Sequence, residues 1–363
     1  MTIAYANGSS SPSTTNLPRP LLTASDMQAR WSDVELDFDA AAQRVVQSHE
    51  ADGRHHDLSI PDLRTWCVAP TASRHFALVP LARHREPMVL RSNAFNNLAA
   101  RLGAPSEFVR KLPAPLALSL LGYLILDREE GKPATLRLRG SEIAAVVSDR
   151  YRPLDAAELM ETVREGLVRF GALHEARVVG VATGLTDSVR LTFPSEQAAV
   201  KVGDVSMVSL DITTSSFGRS SVKLVPGCYR LVCKNGLLRH HRSEGLAFRH
   251  LGDGLRESVA EGISSALVHA RGLLDQWRRS VDFMITNVAE QIEALRSELT
   301  IPERKNLEAD ILRETGAAVL PARLPLFDLL NGVTSSAKLA APARRLEIEA
   351  VAGDLLARHV GRA

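Results

Sequence analysis

The sequence predicts an α+β fold, a mostly antiparallel sheet packed against long amphipathic helices. Between Ala176 and Cys233, five segments of alternating apolar and polar residues (ARVVGVA, SVRLTF, VSMVSLDIT, SVKLV and YRLVC) follow one another, separated by Gly, Asp, Pro or Ser turns. Such short spacing is the signature of antiparallel strands. After Gly254, apolar residues recur mostly every three or four positions from Leu255 through Val259, Ile263, Leu267, Leu274 and Trp277 to Leu295. That is the stripe of one or two long amphipathic helices. Strands and helices nowhere alternate one for one and no repeat is visible, which separates this pattern from a doubly wound sheet.

In chain order, residues 1 to about 24 are rich in Ser, Thr, Asn and Pro without apolar periodicity and read as a disordered leader. Residues 25–90 form a small N-terminal α/β segment, with Ser25 or Asp26 capping a short helix and strands and turns from Leu58 to Val79. The main α+β domain spans 91–300. It opens with two short helices: Phe95, Leu98, Ala99 and Leu102 share a face, Gly103 stops the first, and Pro105 precedes the second. TLRLRG and IAAVVSDRYRPL alternate at period two around Gly140 and Ser141, a β-hairpin. Asp155, with Glu158 as capping-box partner and Leu159, Val163 and Leu167 at helical spacing, starts a helix. Pro302 breaks the pattern, and a C-terminal helical segment, 301–363, carries a last helix from about Ser336 to Arg358, interrupted near Pro342.

The chain has 363 residues, 45% hydrophobic, with 44 Lys and Arg against 42 Asp and Glu and a net charge of +2. This is enough chain for a sizeable core, and any basic surface must be local. Aromatic residues make up 5%, too few for a broad stacking platform. No run approaches the roughly 18 apolar residues that span a bilayer, and the N-terminus has no secretory-signal pattern, so a cytoplasmic location without membrane contact is expected. Cys67, Cys228 and Cys233 fit a reducing compartment rather than a disulfide framework.

Residues 215–250 concentrate charge: Arg219, Lys223, Arg230, Lys234, Arg239, Arg242 and Arg249 against the single Glu244. Adjoining strands carrying these residues would neutralise phosphates and release counterions, with Phe217 and Tyr229, and also Phe248, placed to stack on bases. A solvated β-face with the rings turned into the core is the competing reading. Cys228 and Cys233 with His240, His241 and His250 are zinc-type ligands, but Cys-x4-Cys is loose for a zinc knuckle and YRLVC reads as a strand with a packed thiol. No P-loop, GxSxG, HExxH or GxGxxG is present, and nothing calls for a cofactor or a resident metal. Asp149, Arg150, Tyr151 and Arg152 form a polar cluster that reads as a turn with local ion pairs or as part of a site.

Four segments, AFNNLAARLGAPSEFVRKL, AAVVSDRYRPLDAAELM, TTSSFGRSSVKLVPGCYRLVCKNGLLRHH with the later FRHLGD, and LLNGVTSSAKLAAPARRLEIEAVAGDLL, together resemble the phage/plasmid-like protein family, domain of unknown function 932. The chain departs from the family pattern at Thr214, Ser215 and Ser216, where an Asn-Ser-Glu-like run is usual. The resemblance implies a mobile-element setting and no settled activity. By fold-level analogy, an antiparallel sheet followed by a long helix is also the plan of phage single-strand annealing proteins, which grip DNA backbone with basic strand residues. The expectation is therefore a non-enzymatic protein binding single-stranded DNA through Arg219, Lys223, Arg230, Lys234, Arg239 and Arg242. The alternatives are a protein-interaction or anti-defence factor with a basic docking face and, more weakly, a metal-dependent enzyme. The 255–298 stripe reads as core, with homo-oligomerisation into a ring or filament as its second use.

Overall fold

A computed structural model describes residues 36–361, apart from 52–54, 72–75, 83–85, 183, 202–203, 231–236, 240–244, 338–339 and 341. The leader, the Ser25–Asp26 cap and most of the 231–244 basic run lie outside the described residues. The N-terminal part runs β1 (Leu36–Asp37), α1 (Phe38–Ala51), β2 (His55–Ile60), β3 (Trp66–Pro70), β4 (Phe76–Pro80), β5 (Met88–Val89), α2 (Ser92–Arg101), α3 (Ser106–Lys111) and α4 (Ala114–Arg128). The hairpin β6 (Ala134–Arg139) and β7 (Glu142–Ser148) and helix α5 (Ala156–Phe170) follow. Next come β8 (Arg177–Ala182), β9 (Asp187–Lys201), β10 (Asp204–Thr214), β11 (Val222–Arg230), β12 (Leu237–Arg239) and β13 (Leu246–Phe248). The C-terminal part is α6 (Leu255–Arg279), β14 (Met284–Thr286), α7 (Val288–Ala294), α8 (Ile301–Thr315), β15 (Arg323–Pro325), α9 (Leu326–Ser336) and α10 (Pro342–His359).

The architecture is α+β with antiparallel sheets. The main sheet runs β1-β8-β9-β10-β11-β12, with β13 also on β11. SVKLV and the first two residues of YRLVC, read as two strands, lie on one, because β11 continues through Pro226 and Gly227 to Arg230. Proline is tolerated there because β13 pairs with 222–224 and β12 with 227–229, leaving one side of the strand open at 226. Val189, Leu191, Phe193, Val208, Leu210, Ile212, Val222, Leu224 and Cys228 alternate onto one face and pack beneath α5 and α6. The α6 stripe is buried here, and Gly166 of α5 lets the two helices close up: a Cβ there would sit 2.8 Å from the Ala260 carbonyl oxygen.

The opposite sheet face is polar and also covered. Arg190 and Asp211 lie side by side on it, 2.8 Å apart, and Arg190 reaches Glu349 of α10 at 3.3 Å, with all three side chains buried. Buried, doubly compensated charge of this kind fixes where a helix docks. A second core collects residues from Ile60 to Val146, whereas Phe38 to Val45 share the large core with residues from Leu154 to Val360.

Two helix expectations are corrected. Pro302 opens a helix instead of ending one, since α8 has proline in its first turn, where no N–H is needed, behind a Thr300–Glu303 capping box. The last helix starts at Pro342, and Ser336, expected to begin it, is the final residue of a separate helix, α9. Among the described residues no helix is long and apolar enough to cross a membrane.

Candidate nucleic-acid interface

The turn between β10 and β11 carries small hydroxyl residues, and the structure uses them to tie its backbone. Thr214, Ser215, Ser216 and Phe217 are all buried. The Ser215 Oγ accepts from the backbone N–H groups of Phe217 and Arg219, both at 3.2 Å, and donates to the Leu185 carbonyl at 2.5 Å. A serine hydroxyl that bonds forward to its own chain in this way shapes a tight turn. Gly218 completes the turn with φ +67°, a conformation costly for any residue bearing a Cβ.

Three other segments grip this turn. The Tyr151 hydroxyl donates to the Ser215 carbonyl at 2.6 Å and accepts from the Gly218 N–H at 3.2 Å. Burial pushes the Tyr151 phenol up to about 12, so it stays a donor at neutral pH. Its ring stacks on His250, with centroids 4.9 Å apart. The His250 Nδ1–H donates to the Arg152 carbonyl at 2.9 Å, leaving Nε2 as acceptor 3.4 Å from the Thr214 hydroxyl, and burial lowers the imidazole below its ordinary range, keeping it neutral. From α2, Asn93 donates to the carbonyls of Phe217 and Ala144.

Arg137 of β6 makes the last link. Its guanidinium, 3% exposed, donates to the Ser216 carbonyl at 2.5 Å, to Asp57 at 3.0 Å and to Asp155 at 3.1 Å, and the two carboxylates are 41% and 44% exposed. Asp155, expected to cap α5, makes no side-chain cap bond: its carboxylate serves Arg137. The turn thus becomes a rigid platform joining the β6–β7 hairpin to the main sheet.

Basic residues surround this platform. Arg150 precedes Tyr151, Arg249 precedes His250 and Arg219 follows Gly218, while Lys223 sits on β11 between Thr213 and Ala247 in the ladders. All four are exposed, and among the described residues none of them makes an ion pair. Elsewhere arginines are mostly neutralised: Arg64, Arg91, Arg101, Arg164, Arg169, Arg271 and Arg344 each meet a carboxylate within 3.1 Å.

The residues expected at the site divide. Arg219 and Lys223 fall at the platform end. Phe217 does not stack on bases: its ring is 1% exposed and packs with Ala144, Ala145 and Val147 beneath the turn, with the Arg137 guanidinium 5.9 Å from its centroid. Tyr229 is half-buried, and Arg230 and Arg239 pair through backbone with Ser206 and Gly227. That register sets position 239 on the Lys223 side of the sheet and position 230 on the other. The side chains of Arg230 and Arg239, and the whole of Lys234 and Arg242, lie outside the described residues.

Cys228 is buried beneath α6, where burial pushes its thiol up and away from the thiolate that a metal would need. His250 is occupied as described, and Cys233, His240 and His241 lie outside the described residues. Among the described residues no three His, Cys, Asp or Glu side chains gather as a metal site. What the sequence reading missed is the platform itself: Arg137, Asn93 and Ser215. The one local signal was Tyr151 in its polar cluster.

The joined segments form one structural class, an antiparallel sheet whose β10–β11 turn is locked by an upstream tyrosine and a downstream histidine. Residues 144–314, which contain Tyr151, the turn and His250, match the family described as a domain of unknown function (DUF932). The similar segments at 94–112 and 329–356 lie outside the match. No curated protein and no solved structure matches the chain.

Proposed function

We propose that this protein binds nucleic acid, single-stranded DNA in the first instance, by gripping its phosphate backbone at the platform end of the main sheet. The observation that carries the reading is the group of exposed, carboxylate-free cations, Arg150, Arg219, Lys223 and Arg249, around a turn that is itself immobilised. Preorganised cations lose little freedom when a phosphate docks, and released counterions drive association. With Phe217 in the core, stacking contributes little, and weak sequence preference follows. On this reading the protein acts in the cytoplasm on the DNA of a mobile element, in recombination, replication or protection, a setting in keeping with the resemblance to the phage/plasmid-like family.

Fluorescence anisotropy with labelled single-stranded and duplex oligonucleotides at rising salt tests the proposal. Binding at about 50 mM salt that weakens steeply by about 200 mM is expected, with the single strand preferred. Absence of binding at the lower salt, or affinity indifferent to salt, rejects it.

A further inference from the structure

Helix α4, with sequence APLALSLLGYLILDR, is apolar nearly all the way round. Such helices belong in an interior, because an outward apolar face gains nothing from water. One arc, Ala117, Leu121, Leu124 and Ile125, is buried in the core of the N-terminal part. At 100° per residue the opposite arc is centred on Ser119 and contains Leu116, Gly122, Tyr123 and Leu126. Leu116 is 59% exposed, Tyr123 64% and Leu126 66%, and Phe108, on α3 just before the helix, is 56% exposed. No charge interrupts the arc until Asp127 at its end.

We infer that this face of α4 packs against the same face of a second copy of the chain, the two helices antiparallel about a twofold axis near Ser119–Tyr123. Three observations favour a second copy as the occupant. The first is area: with roughly 200 Å² available per large side chain, the four exposed residues present on the order of 500 Å². Two copies together bury about 1,000 Å² from these side chains alone, close to the lower bound of about 1,200 Å² for a specific interface before the flanking residues are added. The second is steric: a Cβ at Gly122 would meet nothing within 4 Å, and Ser119 is small, so the centre of the arc is low and admits a facing helix, with Leu116, Tyr123 and Leu126 as its walls. The third is charge: exposed Lys111 lies before the N-terminal end of the arc and Asp127, only 3.8 Å-paired to Arg128, lies at its C-terminal end. An antiparallel twofold brings Lys111 of each copy toward Asp127 of the other, as an isologous interface requires. The α6 stripe offers no comparable surface, being buried within the chain.

Light scattering on the size-exclusion-purified full chain, with Tyr123→Glu/Leu126→Glu and Ser119→Cys variants, tests this. The expected results are a dimer that dissociates on dilution through the micromolar range, a monomeric double variant whose circular dichroism and melting at low concentration match the parent, and an oxidant-induced interchain cross-link that Ser119→Cys forms in a chain whose exposed Cys67 is replaced by Ser and that the Cys67→Ser chain alone lacks. A parent chain that is monomeric throughout overturns the inference and gives this face to residues 1–35 or to another protein. A double variant that stays dimeric, or a Ser119→Cys chain that does not cross-link, overturns it equally, and none of these outcomes bears on DNA binding.

Discussion

Replacing Tyr151 with phenylalanine isolates the bond that locks the β10–β11 turn. The substitution keeps the ring stacked on His250 and removes one hydroxyl that donates to Ser215 at 2.6 Å and accepts from Gly218 at 3.2 Å. The Ser215 carbonyl belongs to a fully buried residue and would be left without this donor, a loss of about 1–3 kcal/mol. Gly218 is half-buried, so water can satisfy its N–H and the second bond contributes less. The sum is about 2–3 kcal/mol, large against a total stability of about 5–15 kcal/mol. Urea unfolding reads it as a lower midpoint at unchanged slope. Because Arg219 donates its own N–H to Ser215 Oγ, the loosened turn also lets that cation wander, and DNA affinity falls with stability. A loss below about 0.5 kcal/mol, the scatter of ordinary surface substitutions, would mean that the turn is held by something other than Tyr151.

Arg137→Met removes a buried guanidinium but leaves Asp57 and Asp155 exposed enough to hydrate, so the cost comes mainly from the Ser216 carbonyl and is about 2–3 kcal/mol, measurable by denaturant unfolding. Gly218→Ala combines left-handed strain with a Cβ 2.8 Å from Val147 Cγ1 and should cost about 2–4 kcal/mol, part of which a second substitution, Val147→Ala, restores. Glu303 is held down at about 2 by its hydrogen bonds from Arg344 and the Thr300 cap. Its folded pKa lies below the unfolded value, so its stabilisation is present above about pH 4.5 and is lost as pH falls from there toward 2. Arg344→Met should flatten that part of the stability–pH curve, and an unchanged curve would assign the acid sensitivity elsewhere.

The parts of this fold that are local in origin were legible in the sequence. The β6–β7 hairpin turns at Gly140 with φ +60°, α5 ends at Gly171 with φ +74°, and the strands from 177 to 230 follow their alternating pattern. What the sequence hid is non-local. Arg137 reads as one polar position in an alternating strand, yet its partners lie 80, 79 and 18 residues away, and only the closed fold brings them together. Phe217 misled for the same reason: a ring amid basic residues resembles a stacking platform until the hairpin is placed over it. The break between α6 and α7 was hidden because Ile285 of β14 and Val288 of α7 are buried like helix positions and keep the apolar count intact.

The most direct test of the account is the salt dependence of single-stranded DNA binding by the parent chain and by Arg219→Glu/Lys223→Glu. Both substituted residues are exposed and free of ion pairs among the described residues, so the fold should be retained. With about 0.7 log units of slope per phosphate contact, the double variant should bind more than tenfold more weakly at about 100 mM salt, with a log–log slope shallower by about 1.4. A folded variant with the parent's affinity and slope would contradict the claim that this end of the sheet is the nucleic-acid interface.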